Sequence, residues 1–382
     1  MGSWLELLPA LPWLAPFAVL PRLANLRPNL SDSPTGSEGL VSVIIPARNE
    51  SAVIETVVTS VLASAYQPIE VVVVDDRSTD DTAARVAELA RRDPRVRLLP
   101  GRELPPGWYG KPWACLQGYQ AARGELLLFT DADTRHEPEL LGRAVGALRE
   151  SRADLLTIAP QQRCETFWER IVMPQIWLLL GIRYHPDRVN RSRRLRDVIA
   201  NGQFILMPRS SYEAVGMHEA VRGEVAEDLA LAQAVVRRGG RLHFAFAERL
   251  METRMYHGLG PLIEGWSKNI FLGGRRSFPE EPVRRALVPL ILALAFGFWL
   301  APPAAVLLGA MAGGAAPAAV AAAVLGALFW CLICFGMRIP PAYGLGYPLG
   351  AAMALYIAMR STLRGRRRVE WRGRTYAEPD RS

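Results

Sequence analysis

Cysteine is nearly absent from this chain, four residues in 382. Two of the four, Cys331 and Cys334, sit inside an apolar run, so there is no disulfide framework and their C-x-x-C spacing is coincidental. Charge is missing altogether from Ala286 to Met337, 52 consecutive positions broken only by small residues. At about 1.5 Å per residue and about 20 residues per crossing, that stretch predicts two membrane helices with a turn near "GGAAP" (313–317). A third apolar segment follows at 341–359. The N-terminus lacks the basic start and small-residue cleavage site of a signal peptide. "WLELLPALPWLAPFAVL" (4–20) therefore reads as an anchor or interfacial helix within 1–30, although it carries Glu6 and several prolines.

What is present is a basic excess, formal net charge +8, gathered at the membrane edges. Arg22 and Arg27, then Arg275, Arg276, Arg284 and Arg285, then the tail 361–382 with "RSTLRGRRRVEWRGR" (360–374) all favour one side under the positive-inside rule. The charge pattern is one of membrane topology, with no call for nucleic acid as a partner. It predicts a multi-pass protein of the cytoplasmic membrane, a soluble domain at 40–275 facing the cytoplasm, and transmembrane helices within 285–360. Three C-terminal spans would carry the basic tail to the far side. The count and the charge therefore conflict, and a re-entrant segment or a different division of 286–337 would reconcile them.

Within the soluble stretch, "SDSPTGSEG" (31–39) is a linker by composition. A strand running into a polar turn over 40–50, helix 51–64, strand 70–75, helix 80–92, strand 96–99, helix 112–122, strand 125–130 and helix 137–149 alternate, which predicts βαβ units and a parallel sheet. Ligands of such sheets sit at the carboxyl ends of the strands. Two buried strands release acid there, in "VVVVDDRSTDDT" (71–82) and "LLLFTDADTRHEP" (126–138). Asp131 and Asp133, two residues apart, can address one Mg²⁺ or Mn²⁺ and leave positions for a diphosphate. Equally, they can be a solvated turn that caps the helix near Pro138.

Lys111 stands before a helix, either to meet a diphosphate or as a surface lysine. Glu227 and Asp228 open a helix whose apolar spacing runs Leu229, Leu231, Ala232, Val235 and Val236. They suit a base for an acceptor hydroxyl or simple complementation of the helix dipole. Asn201, Gly202 and Gln203 start the strand and turn 200–216. His257 in "RMYHG" is either a ligand or a structural histidine.

Four stretches in order resemble the family 2 glycosyltransferases over about residues 40–270. "VSVIIPARNE" resembles the opening strand and nucleotide-contacting turn, with Pro46, Arg48 and Glu50. "VVVVDDRSTDDT" is similar to the second acidic motif, placing Asp76 at base or ribose. "GKPWACLQGYQAARGELLLFTDAD" resembles the run from lysine to D-x-D, and "VAEDLALAQAVVRRGGRL" (225–242) the late acidic motif. The resemblance implies a GT-A fold, Rossmann-like with a mostly parallel sheet, and a nucleotide-sugar donor such as a UDP-hexose. It also implies a divalent metal at Asp131 and Asp133, inversion, and Asp228 as base beside Glu227. Asn201, Gly202 and Gln203 fall on the acceptor side. The family's Q-x-x-R-W motif is replaced by "EGWSKNIFLGG" (264–274), where Trp266 and Lys268 stand in its place.

The stretch 165–196 is apolar and aromatic in its first half and holds six arginines in its second. It predicts either an amphipathic helix over 165–182 at the membrane surface or a buried core helix followed by a solvated loop. With the spans, the interfacial reading points to an acceptor that also lives in the bilayer. Within the family the chain resembles the branch of bacterial enzymes that glycosylate carotenoid acids, hopanoids and related lipids, which implies a carotenoid, a hopanoid or another isoprenoid or glycolipid acceptor. The tail "EWRGRTY" (370–376) also resembles that branch. The competing expectation is a processive polysaccharide synthase whose helices form an export channel.

Overall fold

The computed structural model describes residues 4–24, 27–364, 369–371 and 374–376. Most of the expected basic tail 361–382 thus lies outside the described residues. So does part of "EWRGRTY".

The N-terminal segment is a 3₁₀ stretch, Trp4–Val19, running into α1 (Leu20–Ala24). Pro9, Pro12 and Pro16 lack the N–H that an α-helical ladder needs, which accounts for the departure from α geometry. Then come β1 (Val41–Ala47), α2 (Ile54–Leu62), β2 (Ile69–Asp75), α3 (Thr82–Arg92), β3 (Val96–Pro100), α4 (Gly110–Ala121) and β4 (Leu126–Thr130). These match the sequence reading to within a few residues. The strands β1, β2 and β4 are buried along their whole length, as apolar runs covered on both faces should be.

Past β4 the sheet departs from the wholly parallel arrangement that the βαβ alternation predicts. A short strand β5 (Thr134–His136) follows the D-x-D, where the sequence suggested a helix cap, and α5 (Leu140–Glu150) starts only after it. The chain continues through β6 (Leu155–Gln162), α6 (Phe167–Arg183), α7 (Pro186–Arg191), β7 (Phe204–Pro208), α8 (Arg209–Ala214), α9 (Glu227–Arg237) and β8 (Leu242–Thr253). The eight strands form one sheet in the order β3-β2-β1-β4-β7-β6-β8-β5. Its first four are parallel, while β7 is antiparallel to both β4 and β6, and β5 to β8. A three-residue strand with exposed Arg135 between buried Thr134 and His136 leaves too short a pattern to read from sequence.

Four helices complete the chain: α10 (Leu259–Arg276), α11 (Pro282–Met311), α12 (Pro317–Gly336) and α13 (Tyr347–Arg364). The backbone pair β9 (Val369–Trp371) and β10 (Arg374–Tyr376) follows them. Among the described residues four helical segments are long and apolar enough to cross a membrane: Trp4–Ala24, Pro282–Met311, Pro317–Gly336 and Pro341–Arg364. The N-terminal stretch lies along α12, with Trp13 stacked on Phe298 at 5.0 Å and Phe17 edge-on to Phe329 at 5.5 Å.

Helix α6 covers the expected segment 165–182, yet its side chains from Ile171 to Ile176 are all buried. Ile171, Val172, Met173 and Ile176 pack with Leu262 and Trp266 of α10 and Ile357 of α13. Trp168 and Trp177 are half-buried in the same cluster, while Phe167 and Ile182 at the two ends are exposed. The apolar content that suggested a lipid-facing surface is therefore mostly covered by other helices of the chain.

Candidate active site

The carboxyl ends of β1 and β4 and the first turns of α4 and α9 meet at one point. Lys111, in the first turn of α4, places its ammonium 2.7 Å from Asp131 Oδ1 and 3.0 Å from Glu227 Oε1. Burial works against that charge, but Asp131, Glu227 and Asp228 outweigh it and hold the lysine pKa well above its ordinary value. The side chain read from sequence as diphosphate-seeking is here the cation that gathers the acids of two motifs about 100 residues apart.

Asp228 accepts from the Gly202 N–H at 2.8 Å through Oδ2 and from the Leu229 N–H at 2.7 Å through Oδ1. Desolvation, then the neighbouring Glu227, raise its pKa to about 6 against the pull of Lys111. Burial raises Glu227 too, but the adjacent Lys111 ammonium more than compensates and leaves it below its usual value. The geometry explains the split, since Glu227 makes the ion pair and Asp228 takes only neutral N–H donors. One carboxylate is thus held charged, and the other is poised near neutrality.

A buried polar network braces the D-x-D from behind. Thr134 Oγ1 donates to the Asp131 carbonyl at 2.8 Å, and Thr253 Oγ1 donates to that of Asp133 at 3.1 Å. Gln203 Nε2 donates to Thr253 at 3.1 Å, and Thr130 Oγ1 donates to the Gln203 carbonyl at 2.8 Å. Burial lowers His136 to about 3, so its ring stays neutral beside the two threonine hydroxyls at 3.2 Å each. Sequence reasoning missed these partners. The threonines flanking "TDADT" are the signal that was available.

A cavity of about 1120 Å³ opens on the acids. Of the residues singled out in the sequence, Pro46, Glu50, Lys111, Asp131, Asp133, Glu227 and Asp228 line it, as do Asn201, Gly202, Gln203, Trp266 and Lys268. Asn201 and Gln203 are at the same time engaged in the frame, Asn201 Nδ2 donating to the Ile158 carbonyl at 3.2 Å. Trp266 is nearly buried, with its Nε1 at 3.2 Å from Met173 Sδ. Arg48 and Asp76 are not brought into this cavity. Asp76 is fully buried where β2 ends, and Arg48 donates to its backbone carbonyl at 2.6 Å. His257 is exposed and outside it.

The cavity continues where no motif pointed. It passes Met173 and Trp177 of α6 and Ile270 of α10, then reaches Leu292 and Phe296 of α11 and Ile333 of α12. Leu20 and Leu23 of the N-terminal segment close one wall.

Among the described residues no group of three or more His, Cys, Asp or Glu could enclose a metal. The carboxylates of Asp131 and Asp133, on one turn in the cavity wall, nonetheless fit a hard divalent cation, which is typically held by one or two carboxylates and substrate phosphates.

Residues 42–216 match the family model "Glycosyl transferase family 2". That stretch ends before α9, so Glu227 and Asp228 rest on geometry and on motif resemblance. Among curated proteins the chain is similar to 4,4'-diaponeurosporenoate glycosyltransferases. It is 26% identical to that of Staphylococcus haemolyticus over 244 residues, and 27% identical to one of Staphylococcus aureus over 251. In both cases the match spans 63% of this chain and 63% of the relative, a little under two thirds. Among solved structures, the mannosyltransferase PcManGT from Pyrobaculum calidifontis, in complex with GDP-Man and Mn²⁺, aligns with a TM-score of 0.54 at 20% identity. The alignment covers 94% of this chain and 98% of that one. The likeness is one of fold, the GT-A architecture with a mixed sheet.

Proposed function

We propose that the chain, whose residues 42–216 match the family model of glycosyl transferase family 2, is a membrane-bound glycosyltransferase. In this reading it moves a sugar from a nucleoside-diphosphate donor to a lipid acceptor on the membrane. The observation that carries it is the single cavity joining the Lys111, Asp131, Glu227 and Asp228 cluster to the apolar walls of α6, α11 and α12. A soluble acceptor would have no use for the apolar half. The carotenoid-acid relatives and the mannosyltransferase crystallised with GDP-Man and Mn²⁺ agree with such an acceptor and donor.

The roles follow from charge and reach. Asp131 and Asp133 would hold Mg²⁺ or Mn²⁺, which supplies Lewis-acid stabilisation of the departing diphosphate. Lys111, paired with Asp131, would give up that carboxylate to a cation held there and would follow the diphosphate as its charge grows. Asp228 takes the proton from the acceptor hydroxyl as that oxygen attacks the anomeric carbon, which inverts its configuration in one displacement. A pKa of about 6 keeps Asp228 ionised at neutral pH while leaving it a stronger base than an exposed aspartate. Glu227, held charged by Lys111, stays out of the proton transfer and adds to the field that raises Asp228.

The experiment is transfer of labelled sugar from UDP-glucose, UDP-N-acetylglucosamine or GDP-mannose to lipid extracts by membranes containing the chain. A single-sugar lipid product that disappears in excess EDTA and returns with Mn²⁺ supports the reading. A polymer would point to a processive synthase. No transfer with any donor would remove the enzymatic proposal.

A further inference from the structure

We propose that the last of the four apolar segments, Pro341–Arg364, does not cross the membrane. It dips beside α12 and returns, so that the outer stripe of α13 lies among the acyl chains of the leaflet on the side of the sheet domain. The inference rests on the membrane reading given under Proposed function. By length and composition alone the segment qualifies as a crossing, so the case against one comes from what holds its two ends.

The near end is held by the sheet domain. Gln161, in the last turn of β6, donates from Nε2 to the Met337 carbonyl at 3.5 Å. Arg170 of α6 donates to the Tyr343 hydroxyl at 2.7 Å and lies over its ring. The 3₁₀ turn Pro341–Gly346 then folds back along α12. A Cβ on Gly344 would stand 2.3 Å from the Cys331 backbone nitrogen, so only glycine permits the approach. Cys331 is five residues before the end of α12, a descent of about 8 Å at 1.5 Å per residue. Tyr347 begins α13 at the level of Trp299, 6.4 Å between centroids. A Cβ on Gly350 would lie 2.1 Å from the Ile171 carbonyl of α6.

From there α13 climbs. Ala354 and Ala358 pack with Phe296, Leu292 and Val288, successively nearer the start of α11. Ser361 Oγ accepts from the Phe271 N–H of α10 at 3.0 Å, Arg360 pairs with Glu264 of α10 at 3.0 Å, and Arg364 pairs with the same Glu264. Helix α10 is itself fixed to the sheet domain, where Gln233 of α9 donates to the Arg276 carbonyl at 3.0 Å and Arg276 pairs with Glu224 at 2.8 Å. The 18 residues of α13 measure about 27 Å, and this length runs from α6 to α10 across the face of the domain.

The outer face of α13 is an apolar stripe, Leu349, Tyr356, Met359 and Leu363, all exposed. Its spacing of seven, three and four keeps it on one side of the helix, opposite Gly350, Ala351, Ala354, Ile357 and Ala358. Acyl chains are the occupant to which the stripe is committed. It continues the lipid-facing surface of α11, against which α13 packs, and the sequence passes at Arg364 into Arg366, Arg367 and Arg368, which suit anionic headgroups. With α13 returned, Arg284, Arg285, Arg338, Arg360 and Arg364 all stand on one side of the α11–α12 hairpin, and the conflict between span count and basic charge disappears.

Two measurements on the full chain test this. Gly313→Cys, in the α11–α12 turn, and Ser382→Cys are treated separately in cells with a membrane-impermeant maleimide, before and after permeabilisation, with the parent chain and its four native cysteines as the blank. Labelling of the two positions from opposite sides is expected. Labelling of both in intact cells means that α13 crosses and overturns the proposal. Protection of both until permeabilisation means that α11 and α12 do not cross, and overturns the membrane reading instead. In the second measurement, spin labels at Leu349→Cys, Tyr356→Cys and Leu363→Cys are read in phosphatidylcholine–phosphatidylglycerol vesicles. Their depth should fall steadily from 349 to 363. A maximum at 356 is the signature of a crossing, and dipolar broadening between labels would show a second copy covering the stripe. Either result overturns the proposal.

Discussion

The two ends of the cavity are built by opposite means. At the sheet end, four charged side chains project from strand ends and first helical turns, and each is fixed by one or two hydrogen bonds or ion pairs of 2.7–3.0 Å. At the membrane end, the side chains that α6, α10, α11 and α12 present to the cavity are mostly apolar. Directional groups in a partly dry site concentrate free energy in single atoms, whereas apolar walls spread it over many. Substitutions at the sheet end should therefore change rate steeply. Those at the membrane end should change acceptor affinity gently and leave chemistry alone.

The steepest expected effect is at Asp228. Asp228→Asn keeps one side-chain oxygen, enough for the Gly202 or the Leu229 N–H but not for both, and cannot take a proton, so transfer should fall by about 10²–10⁴. Stability moves in two opposite ways, because the amide NH₂ that replaces one oxygen faces one of these N–H donors and costs stability, while the titration of the carboxyl is removed. The folded protein raises this carboxyl from 3.8 to about 6, so the group's contribution is complete below the unfolded value and lost as pH rises through the folded one. At pH 7 the neutral amide removes that loss. A folded variant that still transfers at wild-type rate would exclude Asp228 as base and leave it a helix-dipole partner.

The same carboxyl sets a smaller, reversible effect. Transfer at saturating donor should decline as pH falls below about 6, close to tenfold per unit, because the protonated fraction of Asp228 cannot act. A flat profile between pH 7 and pH 5, measured with the metal kept saturating, would break the assignment.

At the apolar end the contrast should reverse. Trp177 is half-buried, lines the cavity and sits 6.1 Å from Trp266. Trp177→Ala removes apolar surface equivalent to about 1–2 kcal/mol of acceptor binding, roughly 5- to 30-fold in KM for the lipid. Hydrolysis of donor in the absence of acceptor should stay near normal. Equal loss of both activities would mean that Trp177 serves the core between α6 and α10, and that the two ends are not separable.

Much of the sheet end was legible in sequence because its residues are local. "TDAD" and "AED" each follow an apolar run or open a helix, and the strand and helix periods that place them are short-range signals. What the sequence did not carry was long-range pairing. Lys111 bridging Asp131 and Glu227 needs β4, α4 and α9 to converge, and β5 is too short to have a period. Burial was not legible either, since the motif that resembles a donor contact leaves Asp76 fully buried where β2 ends. The membrane end was legible only as composition. Apolar stretches could be counted, but whether α6 faces lipid or protein depends on α10 and α13, which lie about 80 and 180 residues further along the chain.

The smallest effect lies behind the D-x-D turn, where the directional and the merely structural can be told apart. Thr134 Oγ1 donates to the Asp131 carbonyl at 2.8 Å and lies 3.2 Å from both Thr130 Oγ1 and His136 Nε2. Thr134→Val keeps the shape and loses the hydroxyl, which removes a hydrogen bond contributing about 0.5–1.5 kcal/mol and leaves the Asp131 carbonyl without that donor. If the bond only supports β5, melting temperature drops and the Mn²⁺ dependence of transfer does not move. If it positions Asp131, the Mn²⁺ concentration for half-maximal transfer rises by about two- to tenfold while the rate at saturating metal is nearly restored. Thr134→Ser, which returns the hydroxyl, should recover the wild-type metal curve. Its failure to do so would assign the change to packing of the lost methyl, and the turn would owe its shape to the strand pairing of β5 with β8 alone.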